Sequence, residues 1–100
     1  MKPMHLLTSL TIIGLMGCAR TNDFTPPPGA TGEDTFKSVC ASCHESKGEY
    51  TFELDEKMSN QDAIAMKIAK GSMGMPSFLN IQGQALTDLT TYVLSQSKTQ

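Results

Sequence analysis

Three residues packed into five positions carry the most specific chemistry in this chain: Cys40, Cys43 and His44, in the order Cys-Ala-Ser-Cys-His. Two thiols one helical turn apart can add across the two vinyl groups of a haem. The adjacent imidazole is then placed under the iron, which makes C-x-x-C-H a covalent haem-attachment pattern. With this chain's cysteine and histidine frequencies, roughly two chains in a thousand would carry the pattern by chance. Two other chemistries use similar residues. A structural zinc site wants four ligands, and beyond these three the only other histidine and cysteine are His5 and Cys18 near the amino terminus. A thiol redox pair wants a preceding strand in a βαβ pattern, which is absent. One covalent haem c is therefore the expected cofactor.

A single histidine leaves the other side of the iron to a different residue. If His5 departs with a leader segment, a second imidazole from this chain is excluded, and the sixth position falls to Met, Lys, another weak ligand or none. Four methionines lie beyond residue 17: Met58, Met66, Met73 and Met75. Met66 falls on a helical stretch, where a pliable core side chain is the simpler role. Met58 lies in a polar stretch and is a poor candidate. Met73 and Met75 share a glycine-containing loop whose backbone can carry a thioether to a metal.

The elements that must position these groups are helical. Thr31 with Asp34 forms an N-terminal capping signal, and Phe36, Val39, Cys40 and Cys43 recur on one face, so a first helix ends at the haem. Residues 45–57 are polar and irregular. Tyr50, Phe52 and Leu54 alternate there, but a lone strand has no partner, so a loop covering the haem edge is expected. Ser59 with Asp62 caps a middle helix from Asn60 to Lys70, with Ile64 and Ile68 on one face and Gly71 as its stop. Residues 71–83 form a loop containing Pro76. Thr87 caps a last helix with Leu89, Tyr92, Val93 and Gln96 as its stripe.

From Gly32 to Tyr92 the chain resembles a small class I bacterial cytochrome c. Gly32, Phe36 and the Cys40–His44 motif follow the family's order, Met75-Pro76 matches its axial methionine before a proline, and Leu89 with Tyr92 matches its last helix. The resemblance implies an all-α fold of three or more helices wrapped round one haem. It implies that Cys40 and Cys43 hold the haem covalently and that His44 and Met75 are the axial iron ligands, with Met73 the second choice or an apolar lid. It also implies that Gly32 and Phe36 meet Leu89 and Tyr92 where the terminal helices cross. Many members place a proline soon after the histidine, and its carbonyl orients the imidazole. No proline lies between His44 and Met75 here, so another carbonyl of that loop is expected in this role.

The amino terminus reads as an export signal: Lys2, an apolar run from Leu6 to Gly17, then Cys18. Twelve apolar residues are too few to span a membrane, which takes about 20. Leu15-Met16-Gly17-Cys18 is similar to the lipobox of bacterial lipoproteins, which implies cleavage before Cys18 and lipidation of that residue. The expected organisation is a signal peptide over 1–17, a lipid-anchored Pro-rich tether over 18–30 and the haem domain over 31–100. Pro26-Pro27-Pro28-Gly29 favours an extended polyproline conformation that holds the domain off the membrane, and Phe24 has no assigned role. Lipid on Cys18 and haem on Cys40 and Cys43 account for all three cysteines.

Of eight Lys and Arg, Lys2 belongs to the leader, leaving seven against ten Asp and Glu. This balance disfavours nucleic acid as a partner. Glu45, Glu49, Glu53, Asp55 and Glu56 form either a solvated loop surface, the simpler choice, or an acidic dock for a basic redox partner. The expected function is single-electron transfer between respiratory redox partners, without catalysis, at the periplasmic face of a bacterial membrane. Ala19 leans this toward the outer membrane. The alternatives are a haem-based gas-binding or sensing domain with an open sixth position, or a fixed haem c subunit of a larger respiratory complex.

Overall fold

The computed structural model describes residues 20–46 and 48–99. The expected signal peptide over 1–17 and the expected lipidation site Cys18 lie outside the described residues. Helix α1 (Gly32–Val39) starts at the expected cap: Thr31 Oγ1 accepts the Asp34 N–H at 3.1 Å, and the Asp34 carboxylate accepts the Thr31 N–H at 3.0 Å. These bonds hold the Asp34 carboxyl below its ordinary pKa. Beyond Val39 the chain continues for about one more turn. The N–H groups of Cys40 and Ala41 donate to Phe36 O, and that of His44 donates to Cys40 O at 2.9 Å. Cys40 to His44 thus sits on a helical extension of α1.

Helix α2 (Gln61–Lys70) buries Ile64 and Ile68, and Gly71 ends it at φ +67°, a backbone conformation that suits glycine. Its cap is Asn60, whose Oδ1 accepts the Ala63 N–H at 2.8 Å. The expected cap, Ser59, instead donates to Asp55 O and bonds the Thr99 hydroxyl. Helix α3 (Gly83–Ser95), by contrast, begins earlier than Thr87. Gln82 precedes it without a side-chain cap, and the Thr87 hydroxyl donates to Gly83 O within the helix. Tertiary burial sets this start: Ile81 is fully buried just before the helix, and Ala85 and Leu86 extend the apolar stripe by a turn.

Strand β1 (Phe52–Leu54) pairs in parallel with β2 (Ser97–Thr99), with Phe52 opposite Ser97 and Leu54 opposite Thr99. The alternation at residues 50–54 therefore does mark a strand, contrary to the expected loop. Its partner is the polar segment that follows α3, reached by the long crossover that parallel pairing requires. The fold remains all-helical apart from this short sheet, as the helical periodicities predict.

The core among the described residues is small: Phe36, Ile64, Ile68, Phe78, Ile81, Leu89 and Val93. Helices α1 and α3 cross at Gly32, where an added Cβ would lie 2.2 Å from Asp88 O and 3.0 Å from Tyr92 Cβ. Phe36 packs on Tyr92 beside that crossing, with ring centroids 5.4 Å apart. The obstructing atom is a backbone carbonyl that cannot rotate away. Gly32→Ala is therefore expected to force the helices apart at about 1–3 kcal/mol. In calorimetry of the haem-loaded protein this is a fall in Tm on the order of 10 °C; an unchanged Tm would contradict the close crossing.

The segment expected as a free tether is partly docked. Ser77 donates its N–H to Arg20 O at 2.9 Å and accepts the Asn22 N–H at 2.8 Å. Asn80 Nδ2 donates to Asp23 O at 3.0 Å, and Phe24 packs half-buried against the core. Phe24 thus has a role that its position in a polar stretch concealed. No helix among the described residues is long and apolar enough to cross a membrane.

Candidate functional site

Cys40 and Cys43 are free thiols, the first half-buried and the second exposed. Burial, with a smaller contribution from Cys43, pushes the Cys40 thiol up to about 11. A thiol that stays protonated at neutral pH lacks the low pKa of a disulfide-exchange nucleophile. The Ser42 hydroxyl lies 3.9 Å from Cys43 Sγ.

His44 is half-buried, and its ring lies 4.9 Å from that of Phe52. Phe52 stands edge-on to Phe36 at 5.9 Å, and Phe36 in turn meets Tyr92. An aromatic chain therefore runs from the imidazole to the α1/α3 crossing. Sheet pairing holds Phe52 in that chain, because its N–H and that of Thr51 both donate to Gln96 O. Burial lowers the His44 pKa, which favours the neutral ring that a metal ligand requires. No hydrogen bond to either ring nitrogen is present among the described residues.

Met75 closes a tight hairpin in which Ser72 and Met75 exchange N–H···O bonds of 3.0 Å each. It is half-buried and packs against the core. Met73 stands at the hairpin tip, fully exposed. Met66 is 55 % exposed, so the core role expected for it does not hold: it points away from the face carrying Ile64 and Ile68. Gly71 has a second use that its place at a helix end did not reveal. A Cβ there would lie 2.5 Å from Met75 O, so the hairpin folds back directly on this glycine.

The five acidic residues are not a uniform face. All five are exposed, but Glu53 accepts the Tyr50 hydroxyl at 2.6 Å and Asp55 accepts the Met58 N–H at 2.9 Å. No group of three His, Cys, Asp or Glu converges on a metal position among the described residues. The donor set instead comprises two thiols on one turn, a neutral imidazole and a core-packed thioether. Val39, Ala41, Phe52 and Leu54 are half-buried apolar side chains packed on the same core as Cys40 and Met75. Soft sulfur, imidazole and apolar walls fit a haem, which Cys40 and Cys43 would bind covalently and His44 would ligate.

Comparison with known proteins points the same way. Residues 27–93 match the family described as cytochrome c oxidase, cbb3-type, subunit III. The cytochrome c6 of Cyanidioschyzon merolae (strain NIES-3377 / 10D) is 35 % identical over 78 residues, covering 69 % of this chain and 75 % of the relative. The cytochrome c6 of Cyanidium caldarium is 31 % identical over 75 residues, covering 66 % of this chain and 69 % of the relative. No solved structure matches.

Proposed function

Because this chain belongs to the class I c-type cytochromes, carries one covalent haem c and is a monohaem electron carrier rather than an enzyme, we propose that it works with His44 and Met75 as axial ligands, tethered to a membrane through Cys18. The observation that carries the ligand assignment is the packing of the methionines. Among those in the described residues, Met75 alone packs on the core, directly before Pro76 and in the same domain as a neutral, half-buried His44. When bound, haem supplies reversible one-electron exchange at iron. Cys40 and Cys43 prevent its loss, His44 and Met75 bias its potential, and Phe52 with its aromatic neighbours keeps water from the histidine side.

Thioether sulfur is soft and favours ferrous iron, so the midpoint potential is expected to be positive. A protein with both axial positions filled binds carbon monoxide slowly when reduced. Redox titration and stopped-flow carbon monoxide binding at neutral pH test this together. A clearly negative potential with rapid binding would instead favour a gas-binding domain with a labile sixth position.

Export, lipidation of Cys18 and a respiratory redox partner complete the proposal, with the periplasmic face of a bacterial membrane, the outer one slightly favoured, as its place. Since Arg20 is bonded to the domain, only Ala19 lies between Cys18 and the docked segment, and the two steps from Cys18 to Arg20 span at most about 7 Å of extended chain. The domain would then sit against the bilayer rather than on a long stalk. Intact mass of the exported protein reads both the cleavage site and the acyl groups. The matched family's description favours a second reading, a fixed haem c subunit of a respiratory oxidase. Stable co-purification with a larger complex after detergent exchange would support it, and a free monomer would exclude it.

A further inference from the structure

The loop carrying Met75 is anchored at both ends and thinly held between them. On one side the Ser72–Met75 hairpin is closed by its own two bonds. On the other, buried Phe78 donates its N–H to Ile68 O at 2.9 Å. Pro76 between them has no N–H to donate. Both backbone groups of Ser77 are taken by the amino-terminal segment: its N–H by Arg20 O and its carbonyl by the Asn22 N–H. The Ser77 hydroxyl adds a third bond to Arg20 O at 3.1 Å, across 57 residues of chain. Asn80 Nδ2 holds Asp23 O, and Phe24 pins the end of the segment to the core.

We propose that residues 20–24 are a positioning strap for Met75, fixing the backbone just beyond it so that its thioether stays on the iron. The proposal rests on Met75 being the axial ligand. A thioether is a weak ligand, and its occupancy depends on how closely the loop confines it, which is an effective-concentration effect. Ordering a polar segment with no periodicity has an entropic cost. Phe24 offsets that cost by packing, while the segment's hydrogen bonds converge on the two loop positions Ser77 and Asn80. Phe24 and Asn80 are therefore positioning residues that act through the loop.

The haem-loaded protein carrying Phe24→Ala with Asn80→Ala tests this. It should keep its helical circular dichroism and attached-haem spectrum. It should lose much of the far-red sulfur-to-iron absorption of the oxidised form and bind carbon monoxide roughly tenfold faster when reduced, the scale for one or two lost hydrogen bonds. Amide exchange at Ser77 should quicken in step, and Phe24→Leu should restore the far-red absorption. Should the double variant fail to fold, Asn80→Ala alone, at an exposed side chain, is expected to shift the same readouts by a few-fold. Variants with a lowered Tm but unaltered far-red absorption and carbon monoxide kinetics would reduce the strap to a structural role and overturn the proposal. Far-red absorption that is absent from the unaltered protein, or that survives Met75→Ala, would instead overturn the ligand assignment and the strap role with it.

Discussion

With Cys40→Ala and Cys43→Ala combined, the chain is expected to lose cooperative folding. Calorimetry should show no sharp endotherm, and near-ultraviolet circular dichroism should be flat while some helical signal persists. The reason is the size of the core. Seven buried apolar side chains serve a domain of about 70 residues, a length at which a single core rarely supplies more than ~3–5 kcal/mol. Val39, Phe52, Leu54 and Met75 are packed against that core yet only half-buried, so their remaining apolar surface gains most from a large apolar partner. Thioether bonds make that partner part of the chain, so dilution cannot remove it. The single variant Cys43→Ala, which leaves one covalent link, should fold with a lowered Tm. A native-like cooperative transition in the doubly substituted, haem-free chain would show that the polypeptide suffices alone.

Met75→Ala is expected to have the largest effect on the redox chemistry. The far-red absorption should disappear, carbon monoxide should bind rapidly to the reduced protein, and the midpoint potential should fall. The fall should be on the order of a tenth of a volt or more, within the ~0.8 V over which axial ligands set haem potentials. The same measurements on Met73→Ala should match the unaltered protein, because Met73 is fully exposed at the hairpin tip whereas Met75 packs on the core. If Met73→Ala removes the absorption and Met75→Ala does not, the two methionines exchange roles. Both variants leave the Ser72–Met75 backbone bonds in place, so the comparison isolates the sulfur from the loop that carries it.

Chemistry confined to a few neighbouring residues was legible in the chain. The Cys40–His44 spacing specifies haem attachment because one helical turn sets the distance between the thiols. The Thr31–Asp34 capping box closes over three residues, and Gly71 ends α2 through its own backbone freedom. The crossing of Gly32 and Phe36 with Tyr92 was legible through resemblance, and the 2.2 Å approach of Asp88 O supplies its physical cause. At Asn60 and Gln82 the local signals misled by a few residues, since several nearby side chains could cap and burial chose among them.

Contacts between distant, unpatterned segments were decided by tertiary structure alone. Ser97–Thr99 is polar and carries no strand signal, yet it pairs with β1 and so holds Phe52 against His44. Thr21 to Phe24 reads as spacer, yet its backbone occupies Ser77. Backbone hydrogen bonds do not depend on side-chain identity, so such pairings leave no mark in residue type. The motif named a haem and one iron ligand, and the resemblance at Met75-Pro76 favoured one methionine; the packed loop, with Met75 on the core and Met73 exposed, adds a physical reason to prefer one of two chemically identical side chains two residues apart.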